Sequence, residues 1–282
     1  MTEVENKLIV LNSKNGIQRN STYLSDMLFN FQNILSDDDT IISSNISVMN
    51  AQIPVSFYII NETNYYLQIE SSSPFKRTGM EIPFGNYNAN TLVSYINSKL
   101  LADGNTIVVS FNSVNGKLVF TGGGGVTVST DTTDLAIRDI IGWRTTSYVS
   151  GSSPLTMPYP LNLLGVKKIS IKSQLLGITS FDSGTNQNIC LTTIPNNNAP
   201  FTMINYSNQT NLNKSLIRVR KIDAIDIIIE DENGNKINFN GVDWTITLVL
   251  ENIRKMSYAE IPKLAKILEQ QNELIPDGVY GE

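Results

Sequence analysis

Apolar and polar residues alternate with a period of two through much of this chain, most clearly around Asn233-Gly234. Ile225, Ile227 and Ile229 precede the pair, Ile237 and Phe239 follow it, and Trp244, Ile246, Leu248 and Leu250 complete the pattern. Alternation on both sides of an Asn-Gly pair predicts a β-hairpin with a type I′ turn, whose two central residues both take positive φ. It assigns 225–229 and 244–250 to a core and turns Asp226, Glu230, Lys236 and Asn238 toward solvent or a neighbouring subunit. A second pair, Asn115-Gly116, joins 106–111 to 117–120 in the same way, so a meander or Greek key is expected.

Further strands are predicted at 7–11, at Met27, Phe29 and Phe31, along 40–53 up to Ile53-Pro54, on both sides of the polar loop Asn61-Glu62-Thr63-Asn64 within 57–69, and at 168–176. Proline ends the 40–53 run because it cannot donate to a ladder. One helix interrupts them: Asn88 or Asn90 can cap it, Leu92, Ile96 and Leu100 form one stripe, and Asp103-Gly104 stops it. A shorter helical turn spans 134–142, with Leu135, Ile140 and Ile141 turned to the core, and Trp143 re-enters extended chain. The run Gly122-Gly123-Gly124-Gly125 leads into Val126-Thr127-Val128 rather than Gly-Lys-Ser/Thr and a helix, so it is expected to be a flexible hairpin tip and not a phosphate loop.

These elements define an all-β protein, a single jelly-roll β-sandwich of two antiparallel sheets with one or two short helices. Residues 1–254 form the expected jelly-roll domain and 255–282 a C-terminal extension. In that extension Ser257 can start a helix on which Ile261, Leu264, Ala265 and Leu268 recur at helical spacing through Gln271. Such a helix is too short to stand alone in water, so its apolar stripe must dock on its own sandwich or on a neighbouring subunit.

Composition narrows the chemistry. The 282 residues carry no histidine and a single cysteine, Cys190, which excludes Ser-His-Asp and Cys-His catalysis, His-containing zinc sites and an internal disulfide. Asp37-Asp38-Asp39 lacks the ligand spacing of a calcium loop and is expected to be a solvated turn. A pair of remote carboxylates acting on glycosides is the one hydrolytic chemistry left open. No enzyme activity, cofactor or metal is expected. Net charge is −5 and the basic residues are scattered apart from Arg218, Arg220 and Lys221, so direct nucleic-acid binding is not expected. No apolar stretch reaches the roughly 20 residues of a membrane span, and the N-terminus has no signal-peptide pattern, so a soluble protein made in cytoplasm is expected. Asn-x-Ser/Thr matches at Asn20, Asn45, Asn61, Asn205 and Asn208, among others, are then a product of Asn-rich composition. Trp143, Tyr148 and Tyr159 lie close in sequence; they could form a platform for a glycan or receptor, although a lone Trp in a β protein more often anchors a core or interface.

Several segments carry a resemblance. Ala51-Gln52-Ile53-Pro54 ends a long strand, Gly85-Asn86-Tyr87 leads into the helix of residues 90–101, Ile140-Ile141-Gly142-Trp143 follows, then 161–165 before a strand, then the late hairpin with 244–250. In this order, over roughly residues 5–253, they resemble the single jelly-roll minor capsid proteins, the pentons, of nucleocytoplasmic large DNA viruses, virophages and Polinton-like elements. The resemblance implies a homopentamer at the fivefold vertices of an icosahedral capsid, located in the virion. Its partners would be trimeric double jelly-roll major capsid proteins and other minor capsid proteins, with no catalytic residues. Ile261, Leu264, Leu268, Trp143 and Tyr159 are the expected subunit contacts. The alternative is a carbohydrate- or receptor-binding β module of a viral spike or fibre.

Overall fold

The computed structural model describes residues 2–19, 23–35, 38–122, 124–129, 136–143, 148–176, 178, 189–209, 213–217 and 219–255. The chain opens with β1 (Thr2–Asn12), β2 (Ile17–Gln18), β3 (Asp26–Leu35) and β4 (Ile41–Pro54). It continues with β5 (Tyr66–Ser72), β6 (Phe75–Glu81), α1 (Ala89–Ala102), β7 (Val108–Asn112), β8 (Lys117–Thr121), β9 (Gly125–Ser129), α2 (Ala136–Ile141), β10 (Tyr148–Ser152) and β11 (Leu155–Thr156). It ends with β12 (Lys168–Lys172), β13 (Cys190–Pro195), β14 (Met203–Ser207), β15 (Ser215–Ile217), β16 (Ile222–Glu230) and β17 (Thr245–Lys255). These fall into two compact units, residues 1–55 with 168–282, and residues 56–167. The expected jelly-roll span of 1–254 therefore runs through both, and the late hairpin and the Asn115-Gly116 hairpin belong to different units.

The first unit is a jelly roll by strand order alone. One sheet runs β1-β17-β4-β14, with β15 also on β4, and the other runs β13-β12-β16-β3, with β2 added at its edge. With the eight principal strands numbered in chain order, the sheets read 1-8-3-6 and 5-4-7-2, the double Greek-key order of a jelly roll. Every pairing is antiparallel. Ile9, Leu11, Ile246, Leu248 and Leu250 of the first sheet and Met27, Phe29, Ile225, Ile227 and Ile229 of the second are all buried, as the alternation predicts. Trp244 is buried with them, edge-on to Phe29 at 6.0 Å, its indole N–H donating to the Leu24 carbonyl.

Two local departures have clear causes. Along β4 the buried residues change parity, from Ile46 and Val48 to Ala51 and Ile53. Register explains it: Leu248 faces Val48 and Thr247 faces Asn50, so Met49 is the extra residue of a β-bulge and shifts the alternation by one. At Asn233-Gly234 only Gly234 is left-handed, at φ 84°. The turn is a three-residue loop closed by Asp231 N–H on the Asn235 carbonyl, and the Asp231 carboxylate accepts from the backbone N–H of Asn233 and Asn235. This replaces the expected type I′ turn. Its return arm, 237–244, is buried at Ile237 and Phe239 but forms no strand beyond the bridge Glu230–Lys236. β16 already has β12 on one side and β3 on the other, so no edge is left to pair with.

The second unit has its own core between two small sheets, β10-β9-β5-β6 and β11-β8-β7. Leu67, Ile69 and Val128 meet Val109, Leu118 and Phe120 there, and α1 adds Leu92, Ile96 and Leu100. Asn88 caps that helix in a reciprocal capping box with Thr91, and Gly104 ends it at φ 69°. Two expectations change. The glycine run is no hairpin tip: β8 pairs with β7 and β11, β9 with β5 and β10, so the run carries the chain from one sheet to the other. Within 57–69 only β5 is a strand; its hairpin partner is β6 downstream, while Asn61 closes a side-chain turn onto Thr63.

Candidate functional site

Asp226 lies on β16 between Ile225 and Ile227, so alternation directs it away from the core and predicts a wet side chain. It is fully buried instead. Its Oδ1 accepts from the Ser173 hydroxyl at 2.6 Å and the Leu175 backbone N–H at 2.9 Å, and its Oδ2 from the Gln174 N–H at 3.1 Å and the Arg19 guanidinium at 3.0 Å. The carboxylate thus ties down the segment that leaves β12. The other arm of Arg19 reaches Asp26 at 2.7 Å, and Lys236 takes the second oxygen of Asp26. Two anions and two cations close a neutral cluster on the outer side of this sheet. Beside it, Lys172, 1% exposed, pairs with Glu230 at 2.7 Å. Glu230 and Lys236, expected on a free outer face, are thereby also committed within the chain.

Every oxygen of Asp226 and Asp26 accepts from at least one donor, so the pair acts as a clamp. Burial pushes the Asp26 carboxyl up, but hydrogen bonds from Lys236 and Arg19 outweigh it and hold the group below its ordinary range. The Lys214 ammonium does the same for Glu251. Asp38 is lowered chiefly by the Thr40 backbone N–H, whose bond closes a side-chain turn from Asp38 to Thr40. Because folding favours ionised Asp26, its contribution is complete above about pH 4 and is lost as pH falls through the depressed folded value. Thermal melts should therefore hold a flat midpoint from neutral pH to about pH 5 and fall below about pH 4. Asp26→Asn should lower the neutral midpoint and reduce that acid-side slope; an unchanged slope would rule out the cluster as its source. Among the described residues, no group of three or more His, Cys, Asp or Glu is placed to hold a metal ion.

The aromatic residues singled out in the sequence do not form a platform. Trp143 is 2% exposed and packs in the core of the second unit with Ile137, Ile140, Ile141 and Met157. Tyr148 and Tyr159 are on the surface, at 55% and 41% exposure. Gly142 brings Trp143 inward. At φ 100° it takes a bond from its own N–H to the Arg138 carbonyl, while its carbonyl accepts from Tyr159 N–H at 2.8 Å. Ile261, Leu264 and Leu268 lie outside the described residues.

The surface the sequence reading missed is the outer face of the first sheet. Among the described residues β1 is an edge strand, paired with β17 alone. While Ile9 and Leu11 point in, Val4, Leu8 and Val10 are 54%, 66% and 65% exposed. Val249 and Ile253, half-buried on β17, stand opposite Leu8 and Val4. Further across, Thr245, Gln52 and Asn205 form one row and Thr247, Asn50 and Ser207 the next, lining a trough of ≈ 350 Å³ with no charged side chain. The signal was present: Leu8-Ile9-Val10-Leu11 does not alternate, and a strand apolar on both faces needs cover on both.

No protein-family model matches the chain, and no curated protein does. Among solved structures it is similar to the mavirus penton protein, determined as a selenomethionine-labelled crystal structure. Identity is 13% and the TM-score 0.48, over 89% of this chain and 99% of that one.

Proposed function

We propose that this chain is a penton of an icosahedral viral capsid, a structural protein that assembles as a homopentamer at the fivefold vertices and contacts double jelly-roll major capsid proteins. The observation that carries the reading is the 1-8-3-6 and 5-4-7-2 strand order together with the place of the second unit in the chain, between the third and fourth strands of the roll. The ordered motifs of the sequence fall at its junctions. Ala51–Pro54 ends the third strand, Gly85-Asn86-Tyr87 leads into α1, Ile140 to Trp143 ends α2, and 161–165 precedes the fourth strand. Jelly rolls also serve as lectins, so fold alone does not choose. The chemistry favours architecture: the buried acids are spent on ion pairs and loop clamps, and the uncharged trough at Asn50, Gln52, Thr245 and Thr247 offers part of the first sheet's outer face to a partner. Tyr159, 41% exposed, is kept as a proposed subunit contact.

The test is the mass and symmetry of the purified full-length chain. Mass photometry should find a species at five times the 31.3 kDa chain mass, and negative-stain images should show fivefold rings. A chain that stays monomeric at high concentration and forms no fivefold particle sinks the reading.

A further inference from the structure

The open edge of the roll and the end of its last strand lie together. β1 and β17 pair along their whole length, from Thr2 opposite Lys255 to Asn12 opposite Thr245. The chain therefore leaves the roll at Lys255 beside the start of the exposed stripe Val4, Leu8 and Val10. Residues 256–282 follow, with Ile261, Leu264, Ala265 and Leu268 at helical spacing from Ser257. As a helix, residues 257–271 would be about 22 Å long. The stripe from Val4 to Val10 spans about 20 Å of strand.

We propose that the chain's own C-terminal segment, residues 257–271, packs its apolar stripe over Val4, Leu8 and Val10 and covers the outer face of β1 and β17. Three features meet in this assignment. An edge strand with an apolar outer face is a hazard that proteins cover. An isolated amphipathic segment of this length needs a surface. One residue, Met256, separates Lys255 from Ser257, a tether that holds the segment at about millimolar effective concentration beside the stripe. Ile261, Leu264 and Leu268 are then given to the chain's own roll rather than to a neighbour.

The test uses the full chain carrying Leu8→Cys and Leu264→Cys, with the buried Cys190 as the sole native thiol. Mild oxidation should give a disulfide within one chain, seen by peptide mapping without a gain in mass. Covalent dimers or larger species would mean that the segment covers a neighbouring copy and would overturn the proposal. Free thiols after oxidation would overturn docking altogether. A second measurement leaves the segment untouched: in Leu8→Glu with Val10→Glu, amide exchange across 257–271 should quicken on the order of tenfold. Unchanged exchange in that variant would also reject the assignment. Neither readout depends on whether the chain forms pentamers, so failure here and failure of the capsid reading are separate results.

Discussion

Asp226→Ala should destabilise the jelly roll by about 3–5 kcal/mol, the usual cost of removing one partner from a buried charge pair. The loss exceeds that of an ordinary surface ion pair because four donors converge on this carboxylate. Ser173, Gln174 and Leu175 would lose the acceptor that holds the exit of β12, and Arg19 would keep only Asp26. Asp226→Asn should cost less, since its carbonyl can still accept on one side, but its amide would face N–H donors on the other. The two tryptophans make the measurement specific, because Trp244 lies in the first unit and Trp143 in the second. In a Trp143→Phe background, denaturant unfolding followed by Trp244 fluorescence should move to a lower midpoint with Asp226→Ala. In a Trp244→Phe background the Trp143 transition should stay in place. An unmoved Trp244 midpoint would refute the clamp.

Gly142→Ala should give the opposite result. A Cβ at this position would stand 2.2 Å from the Tyr159 carbonyl oxygen, in a backbone at φ 100° that L side chains rarely adopt. The backbone conformation alone costs about 1–3 kcal/mol, and the clash is with main chain that cannot rotate aside, so a total of roughly 3 kcal/mol or more is expected. The change displaces either the bond from Tyr159 N–H or the end of α2 that carries Trp143. The Trp143 transition should shift to lower denaturant and the Trp244 transition should not. If Gly142→Ala leaves Trp143 unmoved, the stapling of α2 to the Tyr159 segment does not bear on stability.

Sequence patterns revealed elements wherever one periodicity ran uninterrupted between good punctuation. α1 was legible because Leu92, Ile96 and Leu100 share a stripe between Asn88 and Gly104, and β17 because Ile246, Leu248 and Leu250 alternate without a break. β6 was not: only Thr78 and Met80 of Phe75–Glu81 are buried, which leaves too little apolar signal. Pairing was illegible where it depends on what else occupies an edge. The segment after Gly234 alternates like a strand, yet β16 had no free side to offer. The clamp at Asp226 was hidden for a related reason. Alternation reports which way a side chain points, not what lies beyond it, and the donors here come from Arg19 and 173–175, more than fifty residues away in sequence. The exposed stripe on β1 could have been found, since four apolar residues in succession leave one face to explain.

The pairing of β1 with β17 also sets an order of events during synthesis. Strands of the second unit pair with partners from the same stretch of chain, so that unit can close its sheets while translation continues. The roll cannot. Its first strand waits for its last, more than two hundred residues later, and contacts so distant form slowly. Throughout that interval Val4, Leu8 and Val10 sit on a strand without its partner, an apolar edge of the kind that pairs with other chains. The first strand of the roll to be made is the last to find its partner.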